Sequence, residues 1–115
     1  MPTVFGKELR KLRVDKDQNI HDMAKKLGIS ISYLSSIESG KRKIPDGMTE
    51  LIIKKYRLNK ERSNELRMAE ADSSKEIDID LSNVSVEQRR LVFALSRKID
   101  EISDEECLSI LDKLK

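Results

Sequence analysis

The sequence predicts an all-α fold, with five short helices over residues 1–71, a linker over 72–85 and a two-helix segment over 86–115. Three observations point there. Apolar residues recur at helical spacing along most of the chain. Capping residues and glycines break that pattern into short pieces. Alternation with a period of two is confined to Ile77, Ile79 and Leu81.

Residues 4–14 place Phe5, Leu9 and Leu12 at helical spacing among Lys7, Glu8, Arg10, Lys11 and Arg13, an amphipathic first helix with a basic outer face. After the polar run 15–19, Asn19 caps a second helix from Ile20 to Leu27, which stops at Gly28. Ser30 caps a third, Ile31 to Ser39, ended by Gly40. Lys41-Arg42-Lys43 form a basic loop closed by Pro45, and Asp46 is placed to cap a fourth helix through Tyr56. Asn59 opens a fifth, carrying Leu66, Met68 and Ala69 to about Ala71.

Asp72-Ser73-Ser74-Lys75-Glu76 reads as the start of a linker. The alternation that follows it is an extended segment or a short edge strand. Two capping boxes, Ser85 with Gln88 and Ser103 with Glu106, start helices of about 86–101 and 104–114. Leu91, Leu95, Ile99 and Ile102 form one apolar stripe, and Cys107, Leu108, Leu111 and Leu114 another. The short gap between them suggests an antiparallel hairpin.

Composition narrows the function. The chain has 115 residues, of which 23 are Lys or Arg and 21 Asp or Glu; aromatics are only 3%, thin for a deep enzyme pocket. One Cys forbids an intramolecular disulfide, and one Cys with one His forbids a His/Cys zinc site. The segment Asp78-Ile79-Asp80 lacks the further oxygen ligands of a calcium loop. No nucleophile–base pair, metal cluster or phosphate loop is present, so neither an enzyme nor a cofactor is expected. No apolar run reaches the roughly 18 residues a bilayer needs, and the opening residues lack a signal-peptide pattern, so the expectation is a cytoplasmic protein without membrane partners. In that setting the sequon at Asn83-Val84-Ser85 carries no weight.

The charge is unevenly placed. Residues 1–71 hold 16 Lys and Arg against 10 Asp and Glu, a net of +6, while 72–115 hold 7 against 11, a net of −4. A basic front half fits a polyanionic partner, although two differently solvated surfaces would give the same numbers.

The stretch from Ile20 to Ile37 is sharper. A helix-turn-helix needs a small residue where its helices cross, a Gly at the turn and apolar residues inward on the second helix. Ala24, Gly28, and Leu27, Leu34 and Ile37 meet those needs within 18 residues. The remaining face of the second helix is then free to enter a DNA major groove.

The run from Ala24 through Tyr33, Ile37-Glu38-Ser39-Gly40 and Lys41-Arg42-Lys43 to Pro45 resembles the Xre/Cro/C1 family of phage-repressor-type helix-turn-helix proteins, over about residues 3–71. The resemblance implies a five-helix repressor-like domain and a transcriptional regulator that binds a pseudo-palindromic operator on double-stranded DNA as a homodimer. It implies that Ile31, Ser32, Ser35 and Ser36 face bases, that Ser30 and Tyr33 meet the DNA backbone, and that Lys41, Arg42 and Lys43 form the basic loop beyond the recognition helix. It also implies a structural ion pair between Arg13 and Glu38.

Two departures from the family pattern matter. Many members carry a phosphate-reaching Gln at the start of the second helix, where this chain has Ile20 followed by His21. Some carry Arg at the position of Ser36. A face of Ile and Ser lacks the bidentate Arg–guanine and Gln–adenine readers, so specificity leans on DNA shape, water and flanking cations. His21 is a phosphate contact or a solvated helix start, with no catalytic partner in the sequence. Phosphate contacts are further sought at the N-termini of the second and third helices. The pairs Lys25-Lys26 and Lys54-Lys55 are solvated faces or further contacts, and Cys107 is a small core or interface residue.

A two-helix segment cannot bury both its stripes alone. Self-association is the leading reading. The alternative is an antitoxin that represses its own operon and binds a toxin through residues 72–115, with the Ile77–Leu81 stretch adding to the partner's sheet or cleft.

Overall fold

A computed structural model describes residues 2–115. The described residues form seven α-helices and no strand: α1 (Val4–Asp15), α2 (Ile20–Leu27), α3 (Ile31–Ser39), α4 (Met48–Tyr56), α5 (Lys60–Ser73), α6 (Val86–Lys98) and α7 (Asp104–Lys113), with a 3₁₀ turn at Ile99–Glu101. The chain divides into two compact units after Ile77.

All the buried side chains lie in the first unit. Phe5, Leu9, Met23, Leu34, Ile37 and Ile52 are almost wholly excluded from solvent and are drawn from the first four helices. Leu66 and Ala69 complete the core from α5. α1 packs on α3 and α5, α2 on α3 and α4, and α4 on α5. Polar ties follow the same pairs. Arg62 donates to Asp15 at 2.8 Å between α5 and α1. Arg67 meets Glu50 at 2.9 Å between α5 and α4, and this hydrogen bond holds the Glu50 carboxyl below its ordinary range. Tyr56 donates to Gln18 at 2.6 Å, and burial pushes its phenol up.

The helix limits follow the caps at most ends. Asn19, Ser30, Asn59, Ser85 and Ser103 each accept a backbone N–H at the start of their helix. The start of α4 differs from expectation. Its cap is Gly47, at φ +82 and with no side-chain hydrogen bond, one residue beyond Asp46. That left-handed backbone turns the chain one position later than a capping Asp46 would, and glycine adopts it without steric cost. α5 runs two residues past Ala71 because Ser73 has tertiary work. Its hydroxyl donates to Ala69 at 2.7 Å and accepts the amide of Phe5 at 2.9 Å, covering an orphan N–H at the start of α1.

One glycine is dictated by space. A Cβ on Gly6 would lie 2.2 Å from the backbone oxygen of Glu38. Gly6→Ala should gain up to about 1 kcal/mol of helix propensity. The overlap with a carbonyl that cannot swing away outweighs that gain, so a net loss of about 2 kcal/mol is expected. The midpoint of urea unfolding checks the sign: a midpoint at or above wild type would show that α1 and α3 are not locked together at this residue.

The second unit holds no core. No residue of α6 or α7 is buried. The helices do not lie along one another as the expected hairpin would require. The apolar residues of α6 explain this in part. Phe93 sits two positions from both Leu91 and Leu95, about 200° round the helix, so one neighbouring helix cannot cover them all. Residues 74–84 contain no strand, and Ile77 and Ile79 remain exposed. In that segment Asp80 accepts the amide and hydroxyl of Ser82 at 2.9 and 2.7 Å, which holds its carboxyl below the usual value.

Candidate nucleic-acid interface

The interface is built on the α2–α3 pair. α2 ends at Gly28, whose φ of +73 is the left-handed exit a tight turn needs. Only Ile29 and Ser30 separate it from α3. Ala24, 1% exposed, lets the two helices approach, while Leu34 and Ile37 point into the core. This packing fixes which side of α3 faces out. Ile31, Ser32 and Ser35 are exposed, and Tyr33 and Ser36 are half-buried.

The outward face carries no formal charge, yet its polar groups are not equally available. The Ser36 hydroxyl donates to the Tyr33 carbonyl at 2.7 Å, leaving it mainly an acceptor. Ser30 Oγ accepts the Tyr33 amide at 3.0 Å and keeps its own proton to give. Ser32 and Ser35 are the least committed of the serines assigned to base edges.

The two helix N-termini also differ. At α2, Asn19 accepts the Asp22 amide at 2.8 Å while Asp22 accepts the Asn19 amide at 3.0 Å. That capping box places a carboxylate where a phosphate would otherwise sit. The first turn of α3 has no acid, so its amides keep their pull on an anion. His21 is exposed beside the α2 carboxylate, a position that disfavours phosphate.

The basic loop is partly organised. Lys41, Arg42 and Lys43 are exposed. The Arg42 guanidinium stands 5.4 Å from the centre of the Tyr33 ring, and its amide donates to the Ser36 carbonyl at 3.1 Å. Arg42 is thereby held against the end of the recognition helix, an arrangement that stacking and cation–π attraction favour. Sequence reasoning gave Tyr33 a contact to DNA; the structure adds a role as the platform for Arg42. Lys26 is held similarly, 4.5 Å from the Tyr56 ring, whereas Lys25, Lys54 and Lys55 are exposed.

Arg13 and Glu38 fix α3 from behind. The pair is bidentate, at 2.5 and 3.1 Å, and both side chains are about nine-tenths buried or more. Arg13 also donates to the Met23 sulfur at 3.3 Å, drawing α2 into the same cluster. The Glu38 backbone oxygen accepts from the Thr3 amide at 2.9 Å and the Thr3 hydroxyl at 3.2 Å. The end of α3 is therefore clamped through both its side chain and its backbone.

One residue was missed as a site candidate. A cleft of about 380 Å³ brings Arg10 together with Ile20 and Ser35 at the edge of the recognition helix. Arg10 is 3.9 Å from Glu38, but its side chain is 61% exposed, so much of the guanidinium remains open to another anion. The signal was present in the basic outer face of the first helix, yet only the fold brings that face beside Ser35.

Among the described residues no helix is long and apolar enough to cross a membrane. No curated protein and no solved structure matches the chain. The family described as "Helix-turn-helix domain" matches residues 4–66, which spans α1 to α4 and the first half of α5, including every element that positions the face described above. The chain belongs to this helix-turn-helix family, a domain of the Xre/Cro-type DNA-binding class.

Proposed function

We propose that the protein is a sequence-specific, cytoplasmic transcriptional repressor that binds a pseudo-palindromic operator as a homodimer through the major groove. The observation that carries this reading is α3, which presents Ile31, Ser32 and Ser35 outward while Arg13–Glu38 locks its inner side. Ser32 and Ser35 meet base edges, and Ile31 meets a thymine methyl. Arg42, held on Tyr33, and Lys41, Lys43 and Arg10 meet phosphates on either side. A weak direct code on the recognition face leaves part of the selectivity to groove shape and ordered water. Operator DNA covered in this way is closed to polymerase, which makes repression the expected sign.

One such helix reads a short half-site. Two copies spaced about 34 Å apart would read successive turns on one face of the duplex. The second unit, whose apolar side chains stay exposed, is the natural source of that pairing.

Light scattering and DNA binding of the full chain beside residues 1–77 test the reading, using DNA from upstream of the gene. The full chain should be a dimer. The 1–77 fragment keeps the whole buried core and should be a folded monomer that binds at least about a hundredfold more weakly, the loss expected when two linked sites become one. Equal assembly and equal binding by both would remove the second unit from DNA recognition. Its exposed faces and the Ile77–Leu81 stretch would then favour the antitoxin reading, with a toxin as partner.

A further inference from the structure

The charges on the second unit sort by helix. α6 carries Arg89, Arg90, Arg97 and Lys98 against Glu87, a net of +3, and α7 carries Asp104, Glu105, Glu106 and Asp112 against Lys113, a net of −3. Each also leaves apolar side chains in water: Val86 and Phe93, on the side of α6 that carries Arg90 and Arg97, are 53% and 60% exposed, and Leu108 and Leu111 on α7 are 67% and 56% exposed.

Ordinary helix-end electrostatics accounts for some of these charges. Acids at the start of a helix and bases at its end complement the helix's own dipole. Arg89 and Arg90 near the start of α6 and Asp112 near the end of α7 run against that rule. They become favourable when the two helix types lie antiparallel. Arg89 and Arg90 then face the end of α7 that carries Asp112, and Arg97 and Lys98 face Asp104 and Glu105.

Within one chain the two helices do not lie along one another. The existing ion pairs are long and exposed, Lys98 with Glu101 at 3.9 Å and Lys115 with Asp112 at 4.0 Å, and such pairs hold their partners weakly. We infer that two copies of this chain associate reciprocally, α6 of each on α7 of the other, about a twofold axis. This rests on the homodimer reading above and adds the pairing that produces it. The arrangement is self-complementary, as a twofold interface must be. Packing α6 on α6, or α7 on α7, would instead oppose like charges.

Charge reversal separates these arrangements. Arg90→Glu with Arg97→Glu makes α6 acidic, and Glu105→Lys with Asp112→Lys makes α7 basic. In full-length protein, each double variant should self-associate at least tenfold more weakly than wild type, because both of its contacts become repulsive. Mixed one to one, the two variants should form a heterodimer of near wild-type affinity, since both contacts between unlike chains are again complementary. Native mass spectrometry with one chain extended by a tag reads this out. Should a double variant lose helicity, the single reversals Arg90→Glu and Asp112→Lys carry the same comparison. A dimeric wild type whose variants self-associate undiminished, or whose mixture shows no preference for the heterodimer, overturns the pairing and leaves the dimer standing. A monomeric wild-type chain at tens of micromolar overturns the dimer reading and the pairing together.

Discussion

Glu38→Ala is expected to cost about 3–5 kcal/mol, because it leaves the Arg13 guanidinium buried without its carboxylate. Arg13 is only 8% exposed, so little of its lost pairing is made up by water. Arg10 already stands near the pair but bears the same charge, so it worsens the vacancy. The stability of a domain this size is about 4–12 kcal/mol at the usual 0.05–0.15 kcal/mol per residue, so the loss takes a large share of it. Urea unfolding measures the cost.

The same experiment has a second arm. Arg13→Met with Glu38→Leu removes both charges and fills the space, and should recover most of the loss, as buried pairs replaced together often do. Should that double variant be stable and still bind DNA, the pair acts by holding α3 rather than by touching the ligand. A cost for Glu38→Ala below about 1 kcal/mol would show that the clamp between Thr3 and the Glu38 carbonyl suffices to hold the end of α3.

Much of this architecture was legible in the sequence because its signals are local. Asn19, Gly28, Ser30 and Asn59 act within four residues of themselves, and each sets the helix boundary it announces. Helix-turn-helix spacing is likewise short-range, and it placed Leu34 and Ile37 on the inner side of α3, where both are buried. The features that escaped depend on residues far apart in the chain. Nothing around Gly6 tells of a carbonyl from residue 38, and nothing around Ser73 tells of the Phe5 amide. Arg10 reads as a solvated charge until α1 is laid beside Ser35. The Ile77–Leu81 alternation has strand periodicity without a strand, because period alone supplies no pairing strand, and its Leu81 carbonyl accepts instead from Arg89 at 2.6 Å. For α6 and α7 the sequence marked the helices well, but the apolar stripes say only that something must cover them.

Replacing Lys41, Arg42 and Lys43 together by alanine should abolish most DNA binding while leaving the fold intact. All three are exposed, and Arg42 rests against the Tyr33 ring of the helix it follows. A charge-assisted contact contributes roughly 1 kcal/mol or more, so three should cost about 3 kcal/mol per protomer, more than a hundredfold in affinity. The salt dependence is the more diagnostic readout. Each phosphate contact contributes about 0.9 to the slope of log affinity against log salt, so the slope should flatten by between 2 and 3 per protomer, counted as roughly 0.9 per lost contact. Ser32→Ala with Ser35→Ala should behave oppositely, leaving the slope unchanged and narrowing the gap between operator and unrelated DNA. Affinity titrations at several salt concentrations on both DNAs distinguish the two groups. If the triple variant kept the wild-type slope, the basic loop would lie off the DNA and the phosphate contacts would have to come from the Arg10 cleft and the N-terminus of α3.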